Sequence, residues 1–134
     1  MKTIKSLLLI LFVSTLLVSC EDDRLPNDIL LGRWVILSNA KENALVLDFG
    51  QEDVEVKNSS QSYYPFTYDA VWSYYIDRDS VLHLSRYDGY DNDYGNYYEY
   101  LDFDISIRDQ GNTLILYYDR LFASTKRYTF IRRR

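Results

Sequence analysis

The chain contains a single cysteine and a single histidine among 134 residues, and each scarcity argues against a class of protein. With Cys20 alone, no disulfide can form within the chain, so the fold must be held by packing. A metal or acid–base role for His83 would need partner residues, and the chain has no second histidine to supply one. The sequence also lacks a Gly-rich phosphate loop and a nucleophile elbow. We therefore expect a protein that is not an enzyme and has no cofactor.

Basic residues are also scarce, since the formal net charge is −5 at neutral pH. A protein that binds nucleic acid needs a basic stripe to neutralise phosphates. Residues 132–134 form the only basic cluster, and we expect them to end a strand. Nucleic acid is therefore not an expected partner.

The first residues have the layout of a secretory leader. Lys2 and Lys5 precede an uncharged apolar run over residues 7–18. A permanent membrane span needs roughly 20 apolar residues, so this run is too short to cross a bilayer comfortably. We expect the chain to be exported and the leader to be removed.

The end of this leader, Leu17-Val18-Ser19-Cys20, resembles the bacterial lipobox. The resemblance implies cleavage before Cys20 and acylation of that residue, which would anchor the protein in the outer membrane. The alternative is an ordinary leader whose removal leaves Cys20 as a free thiol. The next residues, Glu21, Asp22 and Asp23, resemble signals that send some lipoproteins to the cell surface, although a solvated tether would look the same. We expect residues 1–19 to be the signal peptide, 20–30 a lipidated tether and 31–134 the folded domain.

Removing residues 1–19 takes away two lysines and no acids, which leaves 115 residues and lowers the net charge from −5 to −7. All fourteen tyrosines lie between Tyr63 and Tyr128. Aromatic enrichment without helix-period apolar stripes favours strands. The mature part therefore reads as one all-β domain.

Alternating apolar and polar residues separated by turn residues predict eight antiparallel strands. In one of them Leu101, Phe103 and Ile105 face the core while Asp102 and Asp104 face solvent. Eight sequential strands can hide their edges by closing into a small barrel, although alternation alone does not exclude a two-sheet sandwich. The predicted strands cover residues 32–38, 44–49, 52–57, 66–77, 80–87, 97–108, 112–119 and 125–132.

Leu31-Gly32-Arg33-Trp34, at the first strand, resembles the Gly-x-Trp start of lipocalins and of bacterial lipocalin-like lipoprotein domains. Shorter likenesses occur at residues 47–49, 72–84 and 128–132. The resemblance implies a lipocalin-like barrel with Trp34 at the closed end and an Arg of the last strand over its ring. Arg132 is our choice for that Arg, and Gly32, Trp34 and Arg132 are expected to have structural roles.

The most unusual stretch covers residues 87–96, which combine acids, amides and aromatics in what we predict to be a long hairpin loop. Asp91 and Asp93 could ligate Ca²⁺, but their spacing departs from the EF-hand loop and its final Glu is missing. The stretch could also be a recognition surface, with Tyr90, Tyr94, Tyr97 and Tyr98 stacking on a ligand. The plain alternative is a polar loop whose tyrosines cover the barrel mouth.

Two functions from different classes follow. The first is a membrane-anchored binding module for a small apolar or saccharide ligand, with an internal cavity lined by residues that include Trp72 and Tyr74 and also Leu47, Phe49 and Phe103. The second is an envelope interaction protein, an inhibitor or scaffold subunit, that works through its outer surface. An enzyme is the third choice, and two buried, coupled carboxylates in one open cleft would be its mark.

Overall fold

A computed structural model describes residues 26–37, 44–119 and 123–133, and these residues form a closed barrel of eight antiparallel strands. Each strand pairs with the strands before and after it in the chain. The strands are β1 (Gly32–Ile36), β2 (Val46–Phe49), β3 (Asp53–Lys57), β4 (Ala70–Ile76), β5 (Val81–Asp91), β6 (Gly95–Arg108), β7 (Thr113–Tyr118) and β8 (Lys126–Arg133).

The barrel is closed by the pairing of the first strand with the last. Trp34 of β1 lies directly opposite Arg132 of β8, and Ile36 lies opposite Phe130. Because this pairing leaves neither terminal strand as a sheet edge, the fold is a barrel and not a two-sheet sandwich. The predicted fold class is confirmed.

Alternation along the strands places every second side chain in one common core. In β4, for example, Trp72, Tyr74 and Ile76 are buried while Val71 and Tyr75 are exposed. Aromatic rings fill much of the interior, and Phe66 stacks on Phe103 at 5.3 Å between ring centroids. The fold therefore rests on apolar burial, with each fully buried large side chain contributing about 1.5–3 kcal/mol.

The two ends of the barrel are built differently. Because successive strands run in opposite directions, the connections β2–β3, β4–β5 and β6–β7 all lie at one end of the barrel. The 3-10 helix that precedes β1 (Asn27–Leu30) lies at the same end. We call this the capped end. At the opposite end lie the connection from β3 to β4 and the tip of the β5–β6 hairpin, and we call it the hairpin end.

Most strand boundaries lie within two residues of the predicted ones, and the largest differences occur in two places. β4 begins at Ala70 instead of residue 66, because the N–H groups of Phe66 and Thr67 donate to the nearby carbonyls of Tyr63 and Pro65 and not to a neighbouring strand. This turn follows a 3-10 helix (Gln61–Tyr63), and the Tyr64–Pro65 peptide bond is cis. The segment predicted as a long loop over 87–96 is mostly strand, since β5 continues to Asp91 and β6 begins at Gly95.

Three short 3-10 helices accompany the strands, and the described part of the chain contains no helix long and apolar enough to span a bilayer. Cys20 and the acidic residues 21–23 lie outside the described residues. The predicted leader, tether and lipidation therefore stay predictions.

Candidate functional site: the projecting β5–β6 hairpin

The β5–β6 hairpin extends beyond the wall of the barrel. β5 pairs with β4 only up to Ser85, whereas its pairing with β6 continues to Asp91. β6 in turn pairs with β7 only from Asp104 onward. The outer part of the hairpin is therefore a two-stranded ribbon whose two edges have no strand partner among the described residues.

A short turn over residues 92–94 closes this ribbon. Asp91 accepts a hydrogen bond from the Asp93 backbone N–H at 2.7 Å through its Oδ1 atom, and Gly95 follows with a φ of +80°. Asp91 thus shapes the turn, as Asp side chains commonly do. Within the described ranges, no group of three or more His, Cys, Asp or Glu residues is arranged to hold a metal ion.

One face of the ribbon carries exposed tyrosines. Tyr87 lies opposite Tyr98, with 5.5 Å between ring centroids, and Tyr98 stacks loosely on Tyr100 at 6.4 Å. Alternation places Tyr90 on the same face. We call Tyr87, Tyr90, Tyr98 and Tyr100 the hairpin tyrosine face, and Tyr90 and Tyr100 expose 68% and 70% of their surface.

The opposite face of the ribbon is fastened to the barrel by Arg86. Its guanidinium carbon lies 4.7 Å from the ring centroid of Tyr68 and 5.4 Å from that of Trp72. Its Nη2 atom donates to Asp88, to Glu99 and to the Tyr68 hydroxyl, at 2.9, 3.2 and 2.7 Å. The Tyr68 hydroxyl itself donates to Glu99. These contacts hold the base of the hairpin against the barrel.

The electrostatics of this cluster favour a neutral Tyr68 and an ionised Glu99. Partial burial, followed by the hydrogen bond to Glu99, raises the pKa of Tyr68. The hydrogen bond from Tyr68, with the nearby positive charge of Arg86, lowers the pKa of Glu99. Arg86 is therefore already neutralised by its carboxylate partners and is not available to attract an anion.

The barrel interior is packed around the residues that we expected to line a cavity. Each of these five residues exposes at most 6% of its surface and is packed into the hydrophobic core. Phe49 meets Tyr74 edge to face at 5.0 Å, and the Tyr74 hydroxyl donates to the Gly50 carbonyl. Side chains fill this part of the barrel, as in other small barrels. The residues concerned are Leu47, Phe49, Trp72, Tyr74 and Phe103.

At the capped end the structure brings together Gly32, Trp34 and Arg132. The Arg132 guanidinium carbon lies 4.2 Å from the ring centroid of the buried Trp34, whose indole N–H donates to the Leu30 carbonyl at 2.8 Å. The guanidinium donates to the backbone carbonyls of Leu31, Ile29 and Gly111 at 2.5, 2.6 and 3.0 Å. Arg132 and Trp34 therefore tie the N-terminal 3-10 helix to the barrel, and Gly32 follows that helix with a φ of +115°.

His83 lies on the outer face of the barrel near the capped end. Its Nε2 atom is 2.7 Å from Asp77 and its Nδ1 atom is 2.6 Å from Asp102, while Tyr75 stacks on its ring at 4.6 Å. Both hydrogen bonds raise the pKa of His83, and the bond to Asp77 has the larger effect. The bond between His83 and Asp77 also lowers the pKa of Asp77. A histidine between two carboxylates favours the doubly protonated, charged form, so the group acts as a fixed ion pair.

The aromatic residues predicted as ligand contacts do not form one site. Tyr90 and Tyr98 belong to the hairpin tyrosine face, Tyr97 points to the other side of the ribbon, and Tyr94 lies at the turn with 84% of its surface exposed. Trp72 and Tyr74 are interior. Sequence reasoning missed Tyr87 and Tyr100, although alternation with Tyr98 would have placed Tyr100 on the same face. It also missed Asp77 and Asp102, because only the strand register brings them to His83.

Comparison of the chain with protein-family models, with curated proteins and with solved structures found no match.

Proposed function

We propose that this protein is a lipid-anchored protein of the bacterial cell envelope that binds a partner protein through the hairpin tyrosine face and catalyses no reaction. The observation that carries the proposal is a projecting ribbon with four exposed tyrosines, whereas the interior residues Trp72 and Tyr74 are buried. Tyrosine offers a large amphipathic ring at low entropic cost and is enriched where proteins bind one another. Four such rings on an exposed ribbon favour binding through the outer surface over binding inside the barrel.

The anchor and the lineage belong to the same proposal. The lipobox-like tetrapeptide ending at Cys20 supports export and acylation, and the acidic residues behind it support exposure at the surface of the outer membrane. The closed barrel, with Arg132 opposite Trp34, supports a lipocalin-like lineage. Replacing Cys20 with Ser should abolish acylation, which mass spectrometry of the mature N-terminus would detect. An unmodified Cys20 in the wild-type protein would refute the anchor.

The binding proposal is tested by retention of cell-envelope material on immobilised protein. We expect the variant Tyr90→Ser/Tyr98→Ser/Tyr100→Ser to lose a protein that the wild type retains. The matched control is Tyr64→Ser/Tyr75→Ser, which removes two exposed tyrosines that lie off the ribbon. Equal retention by the wild type and the triple variant would contradict the proposal.

A saccharide is the alternative partner, because exposed tyrosine rings such as those of Tyr90 and Tyr100 can stack on sugar rings. The same experiment separates the two partners when retained material is analysed for both proteins and monosaccharides. Retention of sugar without protein would replace the proposed partner by a glycan.

A further inference from the structure

The side of β6 that faces β7 is an unused strand edge over residues 95–103. β6 pairs with β5 from Gly95 to Asp104, but its pairing with β7 covers only Asp104 to Arg108. The described part of the chain places no strand against the remaining edge. An unpaired edge of this length is a template for another strand.

The backbone groups that point to this open side can be identified. The Ile105 N–H donates to the Ser80 carbonyl at 3.3 Å, on the β5 side. Backbone groups alternate between the two sides of a strand, so the N–H and C=O groups of Tyr98, Tyr100 and Asp102 point to the open side. Their side chains all lie on the outer face of the barrel. An added strand would therefore meet both the free backbone groups and the tyrosine rings.

The sequence of this edge lacks two residue types that commonly blunt a sheet edge. Natural sheet edges are commonly protected by Lys or Pro, and residues 95–103 contain neither. The β-bulge between Tyr87 and Gly89 lies in β5, on the opposite edge of the ribbon. The open side of β6 thus carries no Lys, Pro or bulge, and its charged residues over 95–103, Glu99 and Asp102, are both acidic.

The edge begins at an acidic cleft. Where β6 separates from β7 there is a half-open cavity of about 180 Å³, lined by Asp102, Asp104 and Asp119 together with Val81, Phe103 and Tyr117. Asp102 contacts His83 and Asp119 accepts a hydrogen bond from Thr125. Asp102 is already paired with His83, whereas within the described ranges neither Asp104 nor Asp119 forms an ion pair. The charge of the cleft is therefore complementary to basic side chains.

We propose that the partner of this surface presents an extended segment with Arg or Lys at alternating positions, which adds to β6 as an antiparallel strand in line with β7. Main-chain hydrogen bonds to Tyr98, Tyr100 and Asp102 supply affinity, as in other cases of strand addition. Basic side chains lie over the rings of Tyr98 and Tyr100 and face the carboxylates of the cleft. This inference rests on the proposed function, since it names the partner of the same hairpin.

A second copy of the chain fits this edge less well. Two β6 edges would bring Glu99, Asp102 and Asp104 of both copies onto one small ribbon, and like charges across paired strands are destabilising. The partner is therefore a segment of opposite charge.

The test uses the mature protein and three peptide probes in fluorescence anisotropy. The first probe has nine residues of alternating Arg and Val, the second replaces Arg by Glu, and the third is the Arg peptide with alternate backbone nitrogens methylated. We expect the first to bind at least about tenfold more tightly than either of the others, a difference of about 1.4 kcal/mol. Equal binding of the methylated and unmethylated Arg peptides would overturn strand addition, because only charge attraction would remain.

Two variants at one position separate the backbone from the ring. Tyr100→Pro removes an N–H that points to the open side, a position where an edge strand tolerates Pro, and Tyr100→Thr keeps that N–H while removing the ring. We expect Pro to weaken the Arg peptide about tenfold and Thr only a few fold. Equal losses would overturn the edge in favour of ring stacking. If Tyr100→Pro fails to fold by circular dichroism, the methylated peptide decides the question on the unchanged protein.

Failure of this inference is distinguishable from failure of the proposed function. If the Arg peptide does not bind while envelope protein is still retained through the hairpin tyrosines, strand addition is wrong and the binding surface stands. Sedimentation of the mature protein at increasing concentration tests whether a second copy of the chain occupies the edge. A dimer that Tyr100→Pro abolishes would overturn the basic partner in favour of a second copy.

Discussion

Each end of this barrel has an arginine over a buried tryptophan, but the two arginines are held in opposite ways. At the capped end, Arg132 lies over Trp34 and donates to three backbone carbonyls. At the hairpin end, Arg86 lies near Trp72 and is held by Asp88, Glu99 and Tyr68. The first arrangement is made of main-chain groups and the second of ionisable side chains.

This difference shows which end is built for stability and which for interaction. Backbone carbonyls cannot leave without unfolding a segment, so Arg132 joins the 3-10 helix permanently to β8. Carboxylates at a partly exposed position stay well solvated when their partner moves, so the contacts of Arg86 contribute less to stability. The projecting hairpin rises from the second, more adaptable end.

The largest expected effect comes from removing each arginine. Arg132→Ala leaves three carbonyls without their donor and uncovers Trp34, so it should lower the free energy of unfolding by about 3 kcal/mol. Arg86→Ala should cost about 1 kcal/mol, because Glu99 and Asp88 regain water. Urea unfolding of both variants measures the difference. Equal losses would show that the two ends are held alike.

A smaller effect is expected from adding a methyl group at two glycines that share a positive φ. Gly32 at the capped end has φ +115°, and a Cβ there would lie 3.4 Å from Arg132 Nη1. Gly95 at the hairpin end has φ +80° and open space around it. Gly32→Ala should therefore cost about 2 kcal/mol and Gly95→Ala about 1 kcal/mol, the second from backbone conformation alone. Thermal unfolding checks both, and a larger loss at Gly95 would break the comparison.

The pH dependence of stability should also differ between the capped end and the hairpin end. Because the folded-state pKa of His83 is raised above its ordinary 6.5, its pairing with Asp77 and Asp102 stabilises the fold fully below that value and is lost as pH rises through the raised pKa. The lowered pKa of Asp77 sets the acid limit, below which the pair is lost again. We expect the advantage of the wild type over His83→Gln in melting temperature to vanish at alkaline pH.

Up to mildly alkaline pH, the hairpin end should show only the acid limit. The pKa of Glu99 is lowered, so its contribution is present above its ordinary value of 4.5 and is lost as pH falls through the folded-state pKa. In Glu99→Gln, the difference in melting temperature from the wild type should stay constant between neutral and mildly alkaline pH. An alkaline loss in this variant pair would contradict the assignment.

The smallest effect is expected from the exposed tyrosines. Tyr94→Ser and Tyr90→Ser should each change the free energy of unfolding by less than about 0.5 kcal/mol, because both rings already lie largely in water. The same substitution in the interior at Tyr74 should cost several times more. A large loss at Tyr94 would mean that the hairpin supports the barrel.

The sequence determined the strands, their faces and the all-β class, because alternation with a period of two is a local property. Leu101 and Phe103 illustrate this, since their spacing alone indicates a core face. The predicted pairing of Trp34 with an arginine came from a resemblance, and the register of β1 with β8 places the two side chains opposite each other.

Only the tertiary structure decided how far each strand runs and what its side chains meet. The sequence around Gly89 and Gly95 predicts a loop because it is rich in acidic residues and glycine. In the structure, however, the pairing of β5 with β6 continues through this segment as far as Asp91 and Gly95. Asp102 contacts His83 although the two are 19 positions apart in the chain, and Tyr68 contacts Arg86 across 18 positions. Register and closure are long-range properties that no local pattern contains, and here they decide where the barrel ends and the candidate binding surface begins.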